Sequence, residues 1–200
     1  MEQKKKTEIT KNKILEAAEA EFSALGLAAA RVDSIAKSAG VNKQMIYAHF
    51  ESKEGLYTAV LSRVYGRLSV YQETIAAYTF QGAETVRRII SDYFDFLMEN
   101  PSFVRLMLWE NLNDARYAAG IDTELFVGAE RLLREGVERG MLRPTLDVEQ
   151  TVISMNMFCF SAFSNLHTLS KISGIDLKTP DALRVRREHI TELFLKYVFE

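Results

Sequence analysis

The spacing that most restricts this chain lies early: Ala36, three residues, Gly40, Val41, four residues, Ile46. A small residue lets two helices cross closely, a glycine supplies the left-handed turn that ends the first, and apolar residues pin the second onto it. The pattern is that of a helix-turn-helix. Ile35, Val41, Ile46 and Phe50 are expected to face the core, leaving Asn42, Lys43, Gln44, Tyr47 and, less centrally, His49 on the outside. Hydrogen-bonding side chains gathered in the first turn of an exposed helix suit the base edges of a DNA major groove.

The remaining punctuation extends the helical reading to an all-α chain, since only three prolines interrupt 200 residues and long stretches lack glycine. Behind a mobile basic arm with Lys4, Lys5 and Lys6, Thr10 is expected to cap a first helix carrying Ile14, Leu15, Ala18, Phe22 and Leu25, ended by Gly26. Val32 to Ala39 and Asn42 to Phe50 follow. Ser52 caps a long fourth helix reaching about Tyr78. Further helices are expected over 84–99, 102–113, 123–139, 148–172 and 180–199, the last with Thr179 as cap and Pro180 at its first position. The division this suggests is a DNA-binding domain over 1–55 and a helical effector-binding and dimerisation domain over 56–200, sharing the fourth helix.

Charge follows the same division. Residues 1–66 carry 10 Lys/Arg against 8 Asp/Glu and residues 67–200 carry 15 against 19, so the basic excess sits where a nucleic-acid surface needs it. A single cysteine, Cys159, forms no intrachain disulfide, and MEQKKKTEIT lacks the apolar run of a secretory signal, which points to the cytoplasm. Residues 150–170 hold no Lys, Arg, Asp or Glu, but ten of them are polar. A helix buried in protein, rather than a membrane span, is the expectation.

Catalysis finds little support. Cys159, His167 and His189 are the imaginable nucleophile and bases, but Cys159 and His167 lie eight residues apart, about 12 Å along one helix and beyond hydrogen-bond reach. No phosphate-cradling glycine loop, zinc-type Cys/His cluster or HExxH occurs. Neither a cofactor nor a metal is expected.

Residues 14–61 resemble the DNA-binding domain of the TetR family of transcriptional regulators, through ILEAA, the LG after Phe22, SIAKSAGV, IYAHF and SKEGL. Farther on, LMLWENL and ERGMLRPTLD look like ligand domains of that family. The resemblance implies that Tyr47 and Lys53 touch phosphates and that Lys43 contacts backbone or base. Free backbone N–H groups at a helix start would reinforce Lys53. Two departures stand out. Where the family usually has Ser or Thr before the second helix, this chain has Ala29, Ala30 and Arg31, losing a hydroxyl cap and a phosphate contact that Arg31 would replace. Where glycine often follows the lysine, this chain has Gln44, able to pair bidentately with adenine. Blander readings stay open: Tyr47 packing on the first helix, Lys43 and Lys53 as solvated charges, His49 as a structural residue and Gln44 as an idle one.

For the rest of the chain the resemblance implies a small-molecule pocket between helices and a dimer built from the last two long helices, here 148–172 and 180–199. RLMLWENLN is the expected wall, with Trp109 as a flat apolar face and Glu110, Asn111 and Asn113 as polar handles, and Phe103 and Met107 join the candidate pocket. Within 150–170 two stripes compete, Val152, Met155, Cys159, Ala162, Leu166 and Leu169 on one face and Asn156, Phe160, Phe163 and His167 on another. The second joins the candidate pocket. Partners expected are therefore double-stranded DNA with a palindromic operator, a partly apolar or aromatic effector, and a second copy of the chain. Repression relieved by an inducer is the default; activation and corepression stay open.

Overall fold

The computed structural model describes residues 2–118 and 126–200, with side chains from residue 5 onward. Among the described residues the secondary structure is entirely helical: α1 (Glu2–Ala29), α2 (Val32–Ala39), α3 (Lys43–Phe50), α4 (Lys53–Ala76), α5 (Ala83–Glu99), α6 (Pro101–Asn111), α7 (Val127–Glu138), α8 (Val148–Ser164), α9 (Leu166–Ser173) and α10 (Pro180–Phe199). No helix among them is long and apolar enough to cross a membrane. The chain packs as two compact units, 1–66 with 102–122 and 67–101 with 123–200, so α4 contributes to both.

In the first unit, Ile14, Ala18 and Phe22 of α1, Ile35 of α2, Ile46 of α3 and Leu56 and Val60 of α4 are completely buried. Phe22 meets Tyr57 edge-on at 5.1 Å. The turn between α2 and α3 follows the expected physics: Gly40 is left-handed (φ 66°, ψ 34°), and the Val41 N–H returns to the Ala36 carbonyl at 3.0 Å. Helix α6 belongs here as well. Its Trp109 lies flat against Gly26, where an added Cβ would come within 2.8 Å of the indole.

The second unit is organised around α5, which packs against α8 and α10, while α7 packs on α8. Ile90, Phe94 and Leu97 on α5, Val152 and Cys159 on α8, and Ile190, Phe194 and Val198 on α10 supply its core.

Three boundaries depart from expectation. No mobile arm precedes Thr10: helix α1 already runs from Glu2, because Glu, Gln and Lys are good helix formers and nothing breaks the run; the side chain of Lys4 lies outside the described residues. Thr10 sits mid-helix, its hydroxyl donating to the Lys6 carbonyl at 3.0 Å rather than capping. Helix 148–172 is two helices, divided at Asn165, whose bridge-region backbone (φ -104°, ψ 10°) interrupts the ladder. Helix 102–113 ends at Asn111, and Asp114 and Ala115 take positive φ within the turn that follows. Residues 123–125 of the expected helix 123–139 lie outside the described residues.

Candidate nucleic-acid interface and ligand cavity

Helix α3 is anchored from one side only. Ile46 is completely buried and Phe50 nearly so, while Lys43, Gln44, Met45 and Tyr47 are exposed and His49 is partly covered. Asn42 caps the helix by accepting the Met45 N–H at 2.8 Å, which orders the first turn without using the side chains beyond it. The seven candidates thus separate by role. Asn42 builds the helix start, Gln44 and Tyr47 project outward, and Lys43 forms a 3.0 Å ion pair with exposed Asp33 of α2. That hydrogen bond holds the Lys43 ammonium above its ordinary pKa. His49 leans toward Phe50 at 6.1 Å between ring centroids.

Arg31 occupies the N-cap of α2 in extended backbone (φ -118°, ψ 126°) with no side-chain cap, as the missing hydroxyl implied. Its N–H instead donates to the Glu21 carboxylate at 3.1 Å, which leaves its exposed guanidinium at the helix start. Lys53 opens α4, where Ser52 accepts the Gly55 N–H at 2.9 Å, and its ammonium donates to the Ala28 carbonyl at 3.2 Å. Both cations stand at helix N-termini, where orphan N–H groups favour an anion.

The ligand candidates scatter. Phe103 packs edge-on against Tyr65, whose hydroxyl is directed at the Met107 sulfur. Trp109 donates to the Ser23 carbonyl at 3.4 Å. Glu110, the supposed polar handle, is 1% exposed and accepts from the Tyr57 hydroxyl at 2.9 Å and from the N–H groups of Tyr117 and Ala118 at 3.1 and 2.9 Å. Burial and this carboxylate together push the Tyr57 hydroxyl far above its usual pKa. Asn113 is exposed and donates to the Trp109 carbonyl. These groups hold the first unit together. In the second unit Phe163 meets Phe94 at 4.7 Å, Phe160 is partly covered and His167 is exposed.

A cavity does exist in the second unit. Tyr71, Gln72 and Ile75 of α4, Ile89, Ile90 and Tyr93 of α5, Gly128 and Ala129 of α7, and Met155, Asn156 and Cys159 of α8 enclose it. Of the ligand candidates, Asn156 alone lines it. About 20 Å³ is open to the centre of a water molecule, room for roughly one water. Tyr71, Gln72 and Ile75 of α4 lie outside the candidate set; the small pair Gly128–Ala129 was the available signal.

Comparison with known proteins agrees with this architecture. Residues 14–60 match the family described as bacterial regulatory proteins, tetR family, and residues 83–193 match the tetracyclin repressor-like C-terminal domain. The HTH-type transcriptional repressor NicS of Pseudomonas putida is 25% identical over 193 residues, covering 94% of this chain and 91% of that one. The HTH-type transcriptional repressor SCO4008 of Streptomyces coelicolor is 30% identical over 138 residues, 68% of each chain. Among solved structures, SCO4942 of Streptomyces coelicolor superposes with a TM-score of 0.73 at 26% identity, over 94% of this chain and 98% of the other. With a family match at each end of the chain, one of them over more than half its length, the protein is a member of the TetR family of DNA-binding transcriptional regulators.

Proposed function

We propose that the protein is a dimeric repressor whose residues 1–55 hold a palindromic operator and whose residues 56–200 bind a small, partly apolar effector that releases it. The observation that carries the DNA half is the one-sided anchoring of α3: Ile46 and Phe50 are buried while Lys43, Gln44 and Tyr47 face outward behind the Asn42 cap. Gln44 reads a base edge. Tyr47, Lys53 and Arg31 hold phosphates, His49 supports the edge of the contact, and Lys43 exchanges Asp33 for DNA. Repression is favoured by the names of NicS and SCO4008, both transcriptional repressors. The regulator has no catalytic task and works in the cytoplasm, where its operator is.

The effector half rests on the cavity between α4, α5, α7 and α8. Because it now has room for about one water, a bound effector must widen it, so free and bound states differ in helix packing. A ligand shifts DNA affinity only through its differential affinity for two such states, typically about 1–3 kcal/mol. Dimerisation is supported by exposed Met157 and Phe158 on α8 and Leu193 and Tyr197 on α10, the two elements expected to pair.

Selection of bound sequences from random DNA with the full chain tests the reading. An enriched inverted repeat, its half-sites about one helical turn or roughly 34 Å apart, is expected. A folded, dimeric protein that enriches no motif would defeat it.

A further inference from the structure

The lining of the cavity restricts what can enter it. It includes no Lys, Arg, Asp or Glu. A carboxylate or ammonium seated there would lose its water and meet no counter-charge, a costly exchange in an apolar interior. The Tyr71 hydroxyl is already committed, donating to the Ile89 carbonyl at 3.3 Å. Burial pushes the Cys159 thiol up to about 12, so it is a neutral, apolar wall. Two amides remain. Asn156 gives one N–H to the Val152 carbonyl at 2.9 Å, so what it can still offer is its acceptor oxygen and a second N–H. Gln72 differs, because its Nε2 is buried and donates to nothing. Buried donors almost always have partners, and this one belongs to a residue of the cavity wall, where an acceptor would satisfy it.

We propose, building on the cavity as effector site, that the effector is an uncharged, mainly apolar molecule whose carbonyl or ether oxygen accepts the Gln72 Nε2–H. Gln72 then discriminates against hydrocarbons, which would leave its amide unpaired. The uncharged walls discriminate against acids and amines of the same shape.

Four probes of similar size test this on the full chain by titration calorimetry: acetophenone, ethylbenzene, benzoate and benzylamine. Acetophenone is expected to bind at least about tenfold more tightly than ethylbenzene, with both ions weaker than either. Gln72→Met should abolish the preference for acetophenone over ethylbenzene and, with no ligand present, raise Tm, since a thioether chain of similar length replaces an unpaired donor. Equal or tighter binding of an ion, an unchanged preference in Gln72→Met, a lowered Tm in that variant, or binding of none of the four each overturn the ligand class. Ala129→Leu, which fills the cavity, separates this inference from the reading beneath it. Acetophenone binding that survives Ala129→Leu removes the cavity as the site. Binding lost in Ala129→Leu while benzoate wins in the unaltered protein leaves the cavity standing and sinks the ligand class alone.

Discussion

At the scale of single residues, the side chains on α3 and around it divide into those that build and those proposed to read. Gln44 is exposed in the first turn and supports no neighbour, so Gln44→Ala should leave stability unchanged and relax preference at one operator position by about 1–3 kcal/mol. Lys53→Ala should weaken all sequences alike and flatten the salt dependence of binding. Affinities for the selected operator and its single-base variants, at two salt concentrations, check both; equal losses on every sequence from both variants would remove base reading from Gln44. Gly26 is a building residue with two reasons to be glycine. Its φ of 71° disfavours any side chain, and a Cβ would press on the Trp109 ring at 2.8 Å. Gly26→Ala is therefore expected to cost at least about 2 kcal/mol in urea unfolding, by left-handed strain and overpacking together. Trp109→Leu in the same chain should recover part of that loss, and strict additivity would argue that the indole is not the obstacle.

At the scale of elements, several helix caps were legible and cavity walls were not. Asn42, Ser52 and Thr179 each accept an N–H three residues on, because a cap is a local event that a few adjacent residues decide. The break at Asn165 was hidden within an uncharged run, where periodicity continues although the backbone does not. Glu110 looked like a ligand handle because sequence cannot show that Tyr57, 53 residues earlier, and the N–H groups of Tyr117 and Ala118 already satisfy it. The cavity is a meeting of four helices, and the periodicity of one helix says only which face is covered, not by what. Helix α2 shows the converse, a departure readable in both. With Arg31 at its N-cap and no side-chain acceptor, Arg31→Ser should stabilise the fold by about 0.5–1 kcal/mol, since the backbone is already extended there. Thermal unfolding measures that gain. Loss of operator affinity in the same variant would mark the guanidinium as a phosphate contact, and unchanged affinity would leave it a surface charge.

At the scale of the whole molecule, buried acids set how the fold responds to alkali. Cys159 is raised by burial from an ordinary 9 to about 12, and burial raises the Tyr71 hydroxyl well above its usual 10. Each ionises more readily in the unfolded chain, so the unfolded state binds fewer protons at high pH and stability falls as pH rises. The Cys159 contribution is intact below pH 9 and is lost between about 9 and 12, at up to about 1.4 kcal/mol per pH unit. Urea midpoints at pH 8 and 10.5 should fall less for Cys159→Ala than for the unaltered chain, and an equal fall would show that the thiol is not titrating across unfolding.

Assembly tests the molecule at the same scale. Met157 is 65% exposed and Tyr197 41%, large apolar surface on the two helices proposed to pair. Leu193, 39% exposed between the buried Ile190 and Phe194, lies on that surface without belonging to the core of its own unit. Leu193→Glu should therefore leave the monomer folded while placing two like charges across a twofold interface. Sedimentation should show a monomer, and operator affinity should collapse because a single head must then hold half a palindrome. Binding to non-specific DNA should survive, since each head keeps its own phosphate contacts. A variant that stays dimeric with full operator affinity would move the interface away from α8 and α10.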